Sequence, residues 1–185
     1  DGCGSRTIRQ DILDGVEYMK TKYAVDSKHV YLLGFSGGGF ISMLMAAFHP
    51  DVFAAISEWS GIADLSSWYT DEHPSDRYAE GMRQCFGGAP GESSAIRAAY
   101  MDRSPVSHLK PGLVVPFDMN AQNNDPVVSN QHSLRAFRIL EPALLSEEEA
   151  KQLARGATPP ATPYVRTDPS TSRTVYLRRE GHNVR

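Results

Sequence analysis

Gly34-Phe35-Ser36-Gly37-Gly38 directly follows the apolar run Val30-Tyr31-Leu32-Leu33 and directly precedes a stretch with helical spacing. A serine lifted out of the backbone at a sharp strand-to-helix turn is conformationally strained, which demands small residues two before and two after it. Both positions are Gly here, and Gly39 adds a third. This context predicts a nucleophile elbow with Ser36 at its tip. The helix that follows would point its amide-rich N-terminus at the site, where a developing oxyanion is stabilised. The competing reading, a phosphate cradle, lacks both the GxGxxG spacing and the Lys that a P-loop requires.

The flanking sequence supplies the elements such an elbow needs. Ile8, Ile12, Val16, Met19 and Tyr23 recur at helical steps, with Thr7 and Gln10 spaced as a capping box. His29 to Leu33 is short and apolar, as expected of a central parallel strand buried on both faces. A helix is predicted over 37–48, stopped by Pro50, then a strand over 52–56 that ends at Ser57. A third strand is predicted over 113–117, a helix over 131–140, and a short helix over 146–155 with Ser146 and Glu149 as a capping box. Residues 157–172 hold four prolines and read as loop, with one more strand over 174–177. Alternating strands and helices imply an α/β fold, a mostly parallel sheet flanked by helices.

Residues 62–110 interrupt this rhythm with Trp68, Tyr69, Tyr78 and Phe86 scattered over polar, Gly-rich sequence. They read as an insertion over the carboxyl ends of the strands, or equally as a solvated helical excursion. The whole chain, 1–185, is expected to form a single domain, since 185 residues suffice for one sizeable core. A net charge of −3 gives no argument for nucleic acid or an anionic membrane, and no apolar run approaches a membrane span. Cys3 and Cys85 allow at most one disulfide and lack metal-ligand spacing, and the six histidines form no metal constellation. No metal site is therefore expected, and compartment and oligomeric state stay open.

A serine nucleophile needs an acid on a loop at the carboxyl end of a neighbouring strand, and a histidine between them. Asp125, in the turn-rich segment Asn123-Asn124-Asp125-Pro126, fits the acid better than Asp118, which sits at the strand end where it can bond the loop backbone. The order serine, acid, histidine leaves His132 and His182 as bases within the chain. His132 falls in the helix after the acid loop and reads as a surface or helix-packing residue. His182 follows Arg178-Arg179-Glu180, a poor buried strand and better as a hairpin turn, so the base is either His182 or a residue beyond Arg185. The remaining histidines precede the acid and read as ordinary polar residues.

Together, the elbow at Gly34–Gly38, the segment Ser104-Pro105-Val106-Ser107-His108-Leu109 before the third strand, and Asp125-Pro126-Val127-Val128 resemble the catalytic domain of the prolyl oligopeptidase family of serine hydrolases. The resemblance runs from Ile8 to Leu140. It implies an α/β-hydrolase fold, incomplete at both ends, acting without cofactor on a small ester or peptide substrate through an acyl-enzyme. Residue by residue it implies Ser36 as nucleophile, Asp125 as acid and the Gly37 N–H as one oxyanion donor, the second donor lying upstream of Asp1. A carbohydrate or acyl esterase of the same fold, and a non-catalytic binding protein with a hydrolase elbow, are the alternatives.

Overall fold

The computed structural model describes residues 2–156, together with the backbone of two short strands, β4 (Arg166–Thr167) and β5 (Thr174–Val175), which pair antiparallel. The predicted loop over 157–172 thus contains one strand, β4, and the rest of it lies outside the described residues. Three parallel strands form the main sheet in the order β1 (Tyr31–Phe35), β2 (Ala55–Trp59) and β3 (Phe117–Asn120). Gly34 pairs with Glu58 and Ser57 with Asp118, so β1, which leads to Ser36, and β3, which leads to the Asp125 loop, flank one shared neighbour.

Each strand of the main sheet begins later than the hydrophobic pattern predicts. Phe53 and Val115 are buried, yet β2 starts at Ala55 and β3 at Phe117. Hydrophobicity reports burial, and here the chain enters the core several residues before it joins the ladder. The strand expected from His29 is preceded by a single 3-10 turn (Ser27–His29). Nor is it central: among the described residues β1 is a sheet edge, with Tyr31, Leu33 and Phe35 each more than 60% exposed.

Helix α1 (Arg6–Lys22) is capped by Ser5, whose Oγ accepts from the Ile8 N–H at 3.4 Å, and not by Thr7. Only the first part of its predicted stripe packs: Ile12 and Val16 meet the core, while Met19 and Tyr23 are exposed. Arg9, on the buried side, lays its guanidinium 4.0 Å over the Phe48 ring. Helix α2 (Gly37–Phe48) matches its prediction, packs on β1 and β2, and buries Met43, Met45 and Ala46 in one core cluster with Ile56 of β2.

Residues 62–110 are helical. A turn, α3 (Leu65–Ser67), runs into a π-turn (Trp68–Glu72), followed by α4 (Arg77–Phe86), α5 (Ser94–Arg103) and a 3-10 turn (Pro105–Ser107). Trp68, Tyr69, Met82, Phe86 and Tyr100 form a second apolar cluster with Phe40 and Leu44 of α2. A disulfide joins Cys3 to Cys85, tying the segment before α1 to α4. Helix α6 (Gln131–Leu140) packs on β3, and α7 (Glu147–Ala154) opens on the predicted Ser146–Glu149 capping box.

The tightness of the elbow is unevenly shared. A methyl group on Gly34 would sit 2.1 Å from the Gly38 carbonyl oxygen and 2.3 Å from Ser42 Oγ, whereas one on Gly38 would meet nothing within 4 Å. The second constrained glycine is Gly39, whose Cβ would lie 2.9 Å from the Trp59 carbonyl oxygen. Backbone cannot yield as a side chain does, so Gly34→Ala is expected to cost about 3 kcal/mol. Gly38→Ala, on an open helical position, should be neutral or stabilising by up to about 1 kcal/mol. Urea denaturation of the two variants checks the contrast, and equal losses would contradict it.

Candidate active site

Ser36 is the residue between β1 and α2 and has φ 54° and ψ −116°, one of two non-glycine residues with positive φ among those described. The other is Ser60, at the carboxyl end of β2. Such conformations cost free energy and persist only where surrounding bonds hold them. Here the Ser36 N–H donates to the Trp59 carbonyl at 2.8 Å, the Phe40 N–H donates to the Ser36 carbonyl at 2.9 Å, and the Ser60 N–H donates to the Asn120 carbonyl at 2.7 Å. The two strained serines thus lie on adjacent strand ends, stitched together through Trp59. Gly37 is exposed at the N-terminus of α2 with open space beside its Cα.

Asp125 lies half-buried on the loop between β3 and α6. Its Oδ1 accepts from the backbone N–H groups of Val127 at 2.9 Å and Val128 at 3.0 Å, a turn that fixes the carboxylate by its own following residues. Burial pushes its pKa up, but the Val128 and Val127 amides and the Ser60 hydroxyl together outweigh this and hold it below the usual carboxylate range. Ser60 therefore links the predicted acid to the strand end that also holds the Ser36 amide. Asp118 lies within β3, where it accepts from Ser57 Oγ at 3.2 Å and Asn120 Nδ2 at 2.9 Å.

Of the two histidines that follow Asp125, His182 lies outside the described residues. His132 is buried in α6; its Nδ1 accepts from the Ala63 and Asp64 N–H groups at 3.3 Å each, and its Nε2 faces Glu72 Oε1 at 2.9 Å. Buried and held at Nδ1, it is a packing residue and not a surface one. His73, expected to be an ordinary polar residue, is buried as well, between Asp76 and the Val127 carbonyl.

Beneath the candidate site lies Glu58, a residue that sequence reasoning missed. It is fully buried on β2, with Oε2 accepting from the Gly61 N–H and Oε1 facing Ser133 Oγ, both at 2.9 Å. Burial pushes its pKa up to about 7, and the bonds from Ser133 and Gly61 offset this only in part, while nearby Asp118 adds to the rise. The carboxyl braces the Ser60–Gly61 turn from beneath. The available signal was its alternation with buried Ile56 on the inward face of the strand. Among the described residues no group of three or more His, Cys, Asp or Glu side chains could hold a metal ion, and no helix is long and apolar enough to cross a membrane.

A parallel sheet with a strained serine between strand and helix, and an aspartate on the loop after a neighbouring strand, defines an α/β-hydrolase fold. Solved structures agree: the acylaminoacyl peptidase of Pyrococcus horikoshii superposes with a TM-score of 0.61 at 22% identity, covering 73% of this chain and 21% of that one. Prolyl oligopeptidase B from Galerina marginata superposes with a TM-score of 0.57 at 20% identity, covering 73% of this chain and 18% of that one. The sequence model of the prolyl oligopeptidase family matches residues 4–155, and the chain belongs to that family.

Curated relatives include feruloyl esterase B of Neurospora crassa, 44% identical over 62 residues (34% of this chain, 20% of that protein). Feruloyl esterase B of Talaromyces stipitatus is 41% identical over 97 residues, 52% of this chain and 22% of that protein. The uncharacterized peptidase YtmA of Bacillus subtilis is 26% identical over 145 residues, 78% of this chain and 50% of that protein. The chain thus spans from about a fifth to a half of the length of these relatives.

Proposed function

We propose that the protein is a serine hydrolase that cleaves carboxylic ester or peptide bonds through an acyl-enzyme on Ser36. The observation that carries the reading is the strained Ser36 at the mouth of α2, joined through Trp59 and Ser60 to the amide-held carboxylate of Asp125. In this reading the Ser36 hydroxyl attacks the substrate carbonyl while a histidine takes its proton, and the Gly37 N–H donates to the oxyanion. The histidine then protonates the leaving alcohol or amine. Water, deprotonated by the same histidine, releases the carboxylic acid and restores Ser36. Asp125, kept ionised, orients that histidine, which is His182 or a residue outside this sequence. The helices of 62–110 would wall the substrate cleft.

The identity of 41–44% to feruloyl esterases favours an ester substrate. The family itself, and the longer span matched by the Bacillus peptidase, favour a peptide. Labelling by a fluorophosphonate that disappears in Ser36→Ala supports the hydrolase; no labelling of the native protein supports a binding protein instead. Parallel assays with methyl ferulate and a peptidyl p-nitroanilide then separate the two substrate classes.

A further inference from the structure

The loop that carries Asp125 is gripped from the far side by the segment 68–76. The Val127 carbonyl accepts two hydrogen bonds, from Trp68 Nε1 at 2.9 Å and from His73 Nε2 at 2.6 Å. The N–H of the same residue, with that of Val128, holds Asp125 Oδ1. One residue further on, the Ser129 N–H donates to Glu72 Oε2 at 2.9 Å. Glu72 and His73 arrive at the end of the π-turn, closed by the His73 N–H bonding the Trp68 carbonyl five residues back, and the wider turn delivers both to the loop.

The surroundings of His73 fix its proton count. Nε2 faces a carbonyl and Nδ1 faces Asp76 Oδ2 at 2.5 Å, and both partners can only accept. A neutral ring would turn a lone pair on one of them. The ring is 6% exposed, with the Trp68 and Tyr78 rings each 4.8 Å away. We propose that His73, in its doubly protonated form and helped by Trp68, positions the acid: by holding the Val127 carbonyl it fixes the turn whose amides orient Asp125.

The electrostatics of the pocket agree. Burial disfavours the cation, but the bonds to Val127 and Asp76, with the charges of Asp76 and Glu72, outweigh it and raise the pKa of His73 above its ordinary value. Around it stand Asp76 at the N-cap of α4, Glu72 on the π-turn with His132 beyond it, and Asp125 across the Val127 and Val128 amides. The Arg77 guanidinium stacks 4.8 Å from the Tyr78 ring centroid. Because the folded-state pKa is raised, the grip is complete at low pH and is lost as pH rises through it. Turnover should therefore carry an alkaline limb set by His73, remote from the reacting atoms.

The inference rests on Asp125 being the acid, and the experiment separates the two. The pH profile of p-nitrophenyl acetate hydrolysis by the intact protein should show the alkaline limb. In His73→Asn the limb should vanish and kcat fall about tenfold with KM nearly unchanged, as a slightly misplaced acid predicts. Trp68→Phe should lower kcat about threefold and keep the limb. Unchanged kcat and limb in His73→Asn overturn the inference. If that variant fails to fold, ring nitrogen NMR of the native protein decides: both His73 nitrogens protonated at pH 6, with loss coinciding with the limb, upholds it, and a neutral ring at pH 6 or a separate titration overturns it. Full activity in Asp125→Ala removes the acid itself, whereas lost activity there beside an unaffected His73→Asn removes the role of His73 alone.

Discussion

Replacing Ser36 by glycine is expected to abolish turnover and raise the melting temperature in the same variant. The hydroxyl proposed to attack the substrate is lost, so kcat should drop by about 10^4-fold or more, leaving only the contributions of binding and oxyanion stabilisation. At φ 54° and ψ −116° the Cβ of Ser36 is held in a region that side chains avoid. Glycine removes the Cβ and with it about 1–3 kcal/mol of strain, offset in part by the greater freedom of the unfolded chain. For a chain of this size each kcal/mol moves the midpoint by about 2–4 °C. Ser36→Ala is the matching control, since it loses the hydroxyl but keeps the Cβ: equal inactivation without the stability gain is expected. Differential scanning calorimetry beside an ester assay reads both. Turnover retained in either variant removes Ser36 from the chemistry, and a glycine variant no more stable than the alanine variant removes the strain.

The second large effect is a pH-dependence of stability centred on Glu58. Its folded-state pKa, about 7, lies above the ordinary value of 4.5. The folded state therefore binds this proton more tightly than the unfolded one. Stability from Glu58 is fully present below pH 4.5 and is lost as pH rises through 7, about 3 kcal/mol in all. Glu58→Gln copies the protonated form: its amide oxygen can accept from Gly61 and its NH2 can donate to Ser133 Oγ. Native and Gln proteins should match at pH 4.5, while the Gln protein should be the more stable at pH 8. Glu58→Ala leaves the Gly61 N–H without its partner and opens a cavity, so it should lose about 3 kcal/mol even at pH 4.5. Urea denaturation across pH 4.5–8.5 checks this, and parallel native and Gln curves would contradict it.

The helices were the most legible part of the sequence because their punctuation is local. Pro50 stops α2, and Ser146 with Glu149 opens α7. Strand starts slipped because Phe53 and Val115 enter the core before the ladder begins, and side-chain hydrophobicity carries no record of hydrogen-bond register. The positions of Ser36 and Asp125 were readable for the same local reason as the helices: each sits in a turn whose chemistry is written within five residues. Glu58 and His73 were not. Their partners Ser133 and Val127 lie 75 and 54 residues away, and neither a lone Glu in a strand nor a lone His in a polar stretch announces a contact made only on folding.

The Cys3–Cys85 bond turns the first part of the chain into a closed covalent ring that contains α1, the elbow, α2 and β2, with Asp125 outside it. A single backbone cut inside that ring cannot divide the molecule. The run Ala24–Lys28 is exposed at every residue and is an evident place for such a cut. A protein clipped there should migrate intact on a gel until reductant is added, because the bond holds the piece with α1 to the piece that carries Ser36 and Asp125. Where proteases are abundant and thiols stay oxidised, this ring lets the site outlast damage to the chain that forms it.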